Sequence, residues 1–279
     1  MLRDNRTVLT LSFVTLCLML IASAGGLLFN AVSRDNAFVA AIWRGTDWVT
    51  LAVGVPIFAG ALFDSMRGSK RAEIVWLGML DYTLYNFAFY LFAAAFNVFF
   101  MVYVASVTLS MFALLFALVN LDAGDLKASF RPQTPVKWIA GYMFFVALGL
   151  TAVYLIQFLG FTFSGQIPDI VLKTDHPTNI VPALDLTLLV PWLILGAIWL
   201  WKRKPWGFVI SAILLVKGTV YTLALAAAGY SAFRAGFPES MGELPLWGTL
   251  SVGFLLASGV LFGNFKPHND PRVTSPEAA

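Results

Sequence analysis

Hydrophobic residues occur along this chain in eight long stretches that are separated by short polar segments. Because a helix needs about 20 mostly apolar residues to cross a bilayer, each stretch predicts a transmembrane helix. The predicted spans cover residues 8–33, 47–65, 73–94, 97–120, 137–161, 180–201, 206–230 and 246–264. Only residues 94–97 separate the third span from the fourth. We expect a tight turn there, since Glu73 to Leu121 is too long for one span.

This pattern predicts an all-α fold, a polytopic integral membrane bundle of about eight transmembrane helices. Residues 1–264 form a single transmembrane domain, and residues 265–279 form a short polar tail that we expect to be disordered and cytoplasmic. No internal repeat is evident from the sequence, so self-similarity does not indicate an inverted-repeat transporter.

The positive charges are distributed unequally between the two sides of this predicted bundle. With the N-terminus inside, the inner segments hold thirteen lysines and arginines and the outer segments hold four. Positive charge accumulates on the cytoplasmic side of membrane proteins, so both termini are predicted to be cytoplasmic. The expected location is the plasma membrane, as a multi-pass protein of a bacterial inner membrane.

The first hydrophobic stretch also has features of a cleaved signal peptide. Ala22-Ser23-Ala24 resembles a signal-peptidase site that follows a short basic region. The apolar run nevertheless continues to Val32, which is longer than a usual signal core and favours an uncleaved helix. Cleavage would leave seven spans and an outer N-terminus.

Composition agrees with a protein that faces lipid, because 59% of its residues are hydrophobic and 12% are charged, whereas soluble domains carry about 25% charged residues. The net charge of +3 is explained by the cytoplasmic loops, so no nucleic-acid partner is expected. A single cysteine, Cys17, excludes an intramolecular disulfide. His176 and His268 lie on opposite predicted sides of the membrane, and no metal site is predicted.

Away from the ends of the predicted spans, three ionisable residues remain: Asp81, Asp185 and Lys217. A charged side chain at the bilayer centre costs about 2.5 kcal/mol or more, so such residues usually face protein or water and carry function. Measured from the cytoplasmic ends of their helices, Asp81 lies about 12 Å deep and Lys217 about 16 Å deep. The two are therefore predicted to form a buried ion pair at the floor of a polar cavity.

A second polar layer is predicted one helical turn above this pair, and it contains Asp185, Tyr85, Asn86 and Tyr221. Tyr85 follows Asp81 by four residues and Tyr221 follows Lys217 by four, so each pair shares a helix face. We predict that these residues bind a ligand or relay protons. In the outer loop, His176 is a further candidate for ion binding or pH sensing.

These features favour a protein that binds or transports a small solute or a proton through a polar intramembrane cavity. One alternative is a structural or assembly subunit of a larger membrane complex, in which the charges hold helices together. Another is a membrane enzyme that acts on a lipid or quinone-like substrate. No catalytic residue or cofactor is identified, so an enzyme is not favoured. The expected partners are the lipid bilayer, a small-molecule ligand or proton, and a membrane-protein partner or second copy.

Overall fold

A computed structural model of the chain describes residues 5–29 and 34–266. Within those two ranges the fold is helical and contains no β-strand, which confirms the all-α prediction. Residues 30–33, at the end of the first predicted span, lie outside the described residues, as does the predicted tail beyond Lys266. Phe265 is buried and its ring centroid lies 4.2 Å from that of Phe130, so the fold is packed at least as far as this residue.

Twelve α-helices form the described part of the chain. They are α1 (Arg6–Leu28), α2 (Ala37–Val49), α3 (Val55–Met66), α4 (Lys70–Ala93), α5 (Phe100–Val119), α6 (Ala123–Ala128), α7 (Val136–Ser164), α8 (Asp169–Thr174), α9 (Ile180–Leu184), α10 (Val190–Trp201), α11 (Pro205–Arg234) and α12 (Leu244–Gly263). One π-helical turn joins α2 to α3 and a second joins α9 to α10. A 3₁₀ turn at Pro238–Glu243 leads into α12.

Seven continuous helices among the described residues are long and apolar enough to cross a membrane. They are α1, α2–α3, α5, α7, α9–α10, α11, and α12 with its preceding 3₁₀ turn. The chain therefore has the architecture of a multi-pass membrane protein. The helix α4 is not among the seven. It is 24 residues long, but it contains Asp81, Asn86 and three tyrosines, and most of its residues are buried within the protein.

The second membrane helix begins ten residues earlier than predicted, at Ala37 instead of residue 47. The prediction assigned Arg44 to an outer segment of the chain. The structure places Asp47 inside the bundle, where its carboxylate accepts a hydrogen bond of 2.8 Å from the Tyr90 hydroxyl of α4. Such a bond offsets part of the cost of burying a carboxylate.

The order of elements occurs twice along the chain, which the sequence analysis did not detect. In each half, a long helix is followed by a helix with a π turn, a buried central helix and a last helix. The first π turn, Thr50–Gly54, recurs as Asp185–Leu189, 135 positions later. Each π turn is followed by a Val-Pro pair. Proline has no N–H to donate to the carbonyl four residues before it, so a regular α-helix is interrupted there.

Two more features recur at nearly the same separation. A residue with positive φ follows each broken helix, Gly68 at 92° and Arg203 at 51°. In the central helices, Asp81 and Tyr85 of α4 recur as Lys217 and Tyr221 of α11, 136 positions later. The same order of four elements therefore recurs in the two halves of the described chain, which we call the two repeats.

The repeats meet at α4 and α11, which form the centre of the bundle. Over 18 residues of α11, 78% of positions are buried. The close approach of the two helices requires Gly78, because a Cβ there would lie 2.6 Å from the Val216 side chain of α11. A second close approach joins α2 to α11 at Gly45, where a Cβ would lie 2.6 Å from the Ala228 Cα. Small residues thus allow the helices to pack around α11.

One pair of helices breaks the equivalence of the two repeats. In the first repeat, α1 packs extensively against α5. The corresponding helices of the second repeat, α7 and α12, have few contacts with each other. The hydroxyl of Tyr142 bridges them, donating to the Leu250 carbonyl at 2.9 Å. The second repeat is therefore more open than the first.

The loop at 165–179, α8 and the 3₁₀ turn lie at one end of the bundle, which we call the His176 end. Here the amide of Asn36 donates to the Lys173 carbonyl at 2.9 Å. The Lys173 ammonium lies 3.3 Å from Glu239, so α8 is tied both to the start of α2 and to the 3₁₀ turn. At the opposite end, Lys70 forms an ion pair of 2.6 Å with Asp125 of α6.

Candidate functional site

Asp185 is the first residue of the second π turn and is only 4% exposed. Its carboxylate accepts hydrogen bonds from two tyrosine hydroxyls, Tyr85 of α4 and Tyr154 of α7, each at 2.5 Å. The π turn adds one residue to the helical turn and so changes which side of the helix each residue faces. Asp185 thereby connects three separate helices through one carboxylate.

Lys217 lies beside this carboxylate and is 1% exposed. Its ammonium nitrogen lies 3.7 Å from the ring centroid of Tyr85, a cation–π contact. It also interacts electrostatically with Asp81 and Asp185. A single lysine therefore carries the positive charge shared by two carboxylates, one from each repeat.

Several buried polar atoms of α4 and α11 have no hydrogen-bond partner within the described protein. They are Oδ2 of Asp81, both side-chain heteroatoms of Asn86 and the hydroxyl of Tyr221. The Tyr221 ring packs edge-on against Tyr85, with the ring centroids 4.8 Å apart. A buried polar group left unpaired costs roughly 1–3 kcal/mol, so this region holds hydrogen-bonding capacity that the protein itself does not use.

The structure brings four of the six predicted intramembrane residues into one cluster: Tyr85, Asp185, Lys217 and Tyr221. The predicted ion pair between Asp81 and Lys217 is not formed, because no nitrogen–oxygen distance between them is within the 4.0 Å of a salt bridge. The physical reason is that the ammonium lies over the Tyr85 ring and interacts with both carboxylates. Asn86 follows Tyr85 on α4, and both polar atoms of its side chain are buried without a partner.

Tyr154 is a residue of this cluster that the sequence analysis missed. It lies within the apolar run of α7, where its hydroxyl was the available signal. Its partner, however, is Asp185 of another helix, 31 residues away. Only the packing of α7 against the second broken helix reveals this contact.

A second buried carboxylate was also missed, that of Asp47. Together with Asp35, Arg44, Tyr90 and other residues, it lines a polar cavity of about 390 Å³ between α2, α4 and the end of α11. Arg44 precedes Asp47 by three residues on one helix face, which was the sequence signal for this region. The first repeat thus has its own carboxylate–tyrosine pair.

His176 lies apart from the charge cluster, in the loop before α9. Burial lowers the pKa of its imidazole below the ordinary value of 6.5, while Asp35, the Ala93 carbonyl and Asp175 act in the opposite direction. Its Nε2 is buried without a partner. This side chain lines a second cavity of about 480 Å³, which also contains Tyr154 and is mostly apolar.

Neither cavity is lined by Asp81, Asn86, Asp185 or Lys217. No group of three or more histidine, cysteine, aspartate or glutamate residues in residues 5–29 and 34–266 could hold a metal ion. What the arrangement offers chemically is therefore a closely packed set of proton donors and acceptors. Comparison of the chain with protein-family models, with curated proteins and with solved structures gives no match.

Proposed function

We propose that the protein is a bacterial inner-membrane transporter whose cargo is the proton, bound at Asp185 and Lys217. In this proposal the chain has eight spans and both termini are cytoplasmic. The inclusion of α4 as a span is supported by its equivalence to α11, which is apolar enough to cross a membrane.

The observation that carries this proposal is the position of the charge cluster at the interface between the two repeats. Asp81 and Tyr85 come from the central helix of the first repeat, and Lys217 and Tyr221 from that of the second. Transporters built from repeats bind substrate and coupling ions near the bilayer midplane at the repeat interface, often beside interrupted helices. Both interrupted helices of this chain hydrogen-bond to tyrosines of α4, Thr50 to Tyr82 and Asp185 to Tyr85.

The packing of the cluster favours a proton over a larger solute as cargo. Asp185 is enclosed by two tyrosines, and neither cavity extends to Lys217. Protonation of the Asp185 carboxylate removes the negative charge that attracts the Lys217 ammonium and weakens the charge-assisted bonds from the tyrosines. The ammonium then interacts mainly with Asp81. The two protonation states thus differ in whether Lys217 interacts with both carboxylates or mainly with that of the first repeat, and proton binding can shift the balance between two conformations in this way.

The test is proton flux into liposomes that contain the purified protein and a trapped pH-sensitive dye. A potassium gradient with valinomycin supplies the driving voltage. We expect flux above that of empty liposomes for wild type and for Asp64→Asn, which changes an exposed carboxylate at the end of α3. We expect no such flux for Asp185→Asn or Lys217→Met.

A second measurement separates proton binding from passage. Infrared difference spectra between high and low pH are expected to contain a protonated-carboxyl band that is lost in Asp185→Asn. Wild-type protein with neither flux nor this band would contradict the proposal.

The structural-subunit alternative is favoured by one specific observation, the two hydrogen bonds that join α4 and α7 to Asp185. In that case Asp185→Asn would fail to fold or would lose a stoichiometric partner protein on purification. A folded Asp185→Asn protein that has lost only its proton flux argues against this alternative.

A further inference from the structure

The second cavity lies where α7 and α12 separate, and its lining divides into an apolar and a polar part. Its walls include Phe145, Leu150 and Val153 of α7 and Leu250 of α12. Its polar lining lies at the His176 end and consists of Thr174, His176, Thr178, Asn179, Gln157, Ser240 and Glu243. The cavity volume of about 480 Å³ is within the range of roughly 300–1,000 Å³ that is usual for ligand sites.

The cavity is elongated along the helices. Gln157 at the polar end and Phe145 at the other are twelve positions apart on α7, or about 18 Å at the rise of an α-helix. Its rim faces the lipid-exposed surface, since Phe145, Val153 and Leu246 are 68%, 51% and 54% exposed. A chain-like apolar molecule can therefore enter from the bilayer, with its polar group at the His176 end.

The opening is specific to the second repeat. The equivalent helices of the first repeat, α1 and α5, pack extensively against each other. The first repeat shows that the first and last helices of a repeat can pack directly against each other without a ligand. The separation of α7 from α12 is therefore particular to the second repeat. Gly149 contributes to it, because a Cβ at this residue would meet nothing within 4 Å.

The polar end indicates the chemistry of the head group. The Nε2 atom of His176 is buried and has no hydrogen-bond partner within the described protein, so a ligand hydroxyl can bond to it. The Glu243 carboxylate, which accepts a bond from the Trp247 indole at 3.2 Å, disfavours an anionic head group. A ligand with an uncharged hydroxyl donor satisfies both conditions.

We propose that the cavity between α7 and α12 binds a single-chain amphiphile with a neutral hydroxyl head group, its hydrocarbon chain along α7 and its hydroxyl at His176. This site goes beyond proton transfer at Asp185. Tyr154, which donates to Asp185, also lines this cavity.

The test uses a monoacylglycerol with a photoreactive diazirine in its chain, applied to the purified full-length protein in detergent. We expect saturable labelling of α7 and α12 peptides that an excess of unlabelled monooleoylglycerol displaces. Oleate and a diacyl phosphatidylglycerol are expected to displace it weakly. Labelling that spreads over the lipid-exposed surface, or that no excess of competitor displaces, would mean ordinary boundary lipid and overturn the proposal.

Two substitutions of the same type on α7 locate the site. Gly149→Phe fills the cavity and is expected to lower labelling about tenfold, equivalent to about 1.4 kcal/mol of binding free energy. Gly141→Phe is the matched control, because Gly141 also has open space around its Cβ position but does not line the cavity. Equal labelling of the two variants refutes the assignment.

If Gly149→Phe does not fold, Val153→Trp at the exposed rim provides the same test. Gly149→Phe is expected to retain proton flux, so that failure of the lipid site and failure of the proton site give different results.

Discussion

The two tyrosine bonds to Asp185 can be tested quantitatively by a double-mutant cycle between Tyr154→Phe and Asp185→Leu. Tyr154→Phe removes one hydroxyl donor and leaves Oδ2 of a carboxylate that is 4% exposed without its partner. Hydrogen bonds to charged groups contribute about 1.5–3 kcal/mol in soluble proteins. Interhelical bonds in membranes average about 0.6 kcal/mol and reach about 1.7 kcal/mol.

We expect a value near the membrane maximum, because the remaining Tyr85 bond cannot serve both carboxylate oxygens. Tyr154→Phe should thus lower the free energy of unfolding by roughly 1.5 kcal/mol. With Asp185→Leu already present, the Tyr154 hydroxyl has lost its acceptor. The same substitution should then be neutral or slightly stabilising, which gives a coupling energy of about 1 kcal/mol or more.

The measurement is equilibrium unfolding in mixed micelles with increasing dodecyl sulfate, followed by circular dichroism. Tyr142→Phe is the matched control, since Tyr142 is also on α7 but donates to the Leu250 carbonyl instead of to Asp185. Its effect should be the same with and without Asp185→Leu. An equal loss for Tyr154→Phe in both backgrounds would refute the reasoning.

Three other expectations concern packing, pH and topology. Gly45→Ala should destabilise the protein by about 1–3 kcal/mol through overpacking against backbone atoms of α11. Gly60→Ala, where the added Cβ meets open space, should be neutral or stabilise the protein by up to about 1 kcal/mol. Thermal melting of the two variants measures this difference. Because the native His176 pKa lies below 6.5, the unfolded chain binds more protons in the window between these values. The melting temperature should therefore fall as pH is lowered through that window, and His176→Gln should remove this dependence. In protein whose native cysteine has been replaced, Gln166→Cys should react with an impermeant maleimide in intact cells, whereas Ser129→Cys should react only after permeabilisation. The reverse result would exclude cytoplasmic termini.

Hydropathy was sufficient to predict the all-α fold and the tight turn between α4 and α5. The spacing of four residues in Asp81–Tyr85 and Lys217–Tyr221 correctly placed each pair on one helix face, because the helical period is local. What periodicity could not provide was the relation between helices. The approach of Tyr154 to Asp185 depends on how α7 packs against a different helix.

The start of the second span was mispredicted for a related reason. The predicted span began at Asp47, whereas the helix continues back through Arg44 to Ala37. Within the bundle the protein supplies Tyr90 as a partner for the Asp47 carboxylate. The repeat escaped detection because it is preserved in a few positions only, chiefly the Val-Pro pairs after each π turn and the charged residue four positions before a tyrosine. Such a pattern becomes visible once the π turns are located in the structure.

The recurrence of the four helices has a consequence for how an aspartate and a lysine come to occupy corresponding positions of the two central helices. Two identical four-helix chains related by a twofold axis must place the same residue at both central positions. Two aspartates or two lysines would then repel each other in a medium of low dielectric constant. Asp81 and Lys217 can differ because both halves belong to one polypeptide, in which each copy is free to mutate separately. Joining the halves in a single chain is thus what permits an asymmetric charge distribution at a nearly symmetric interface.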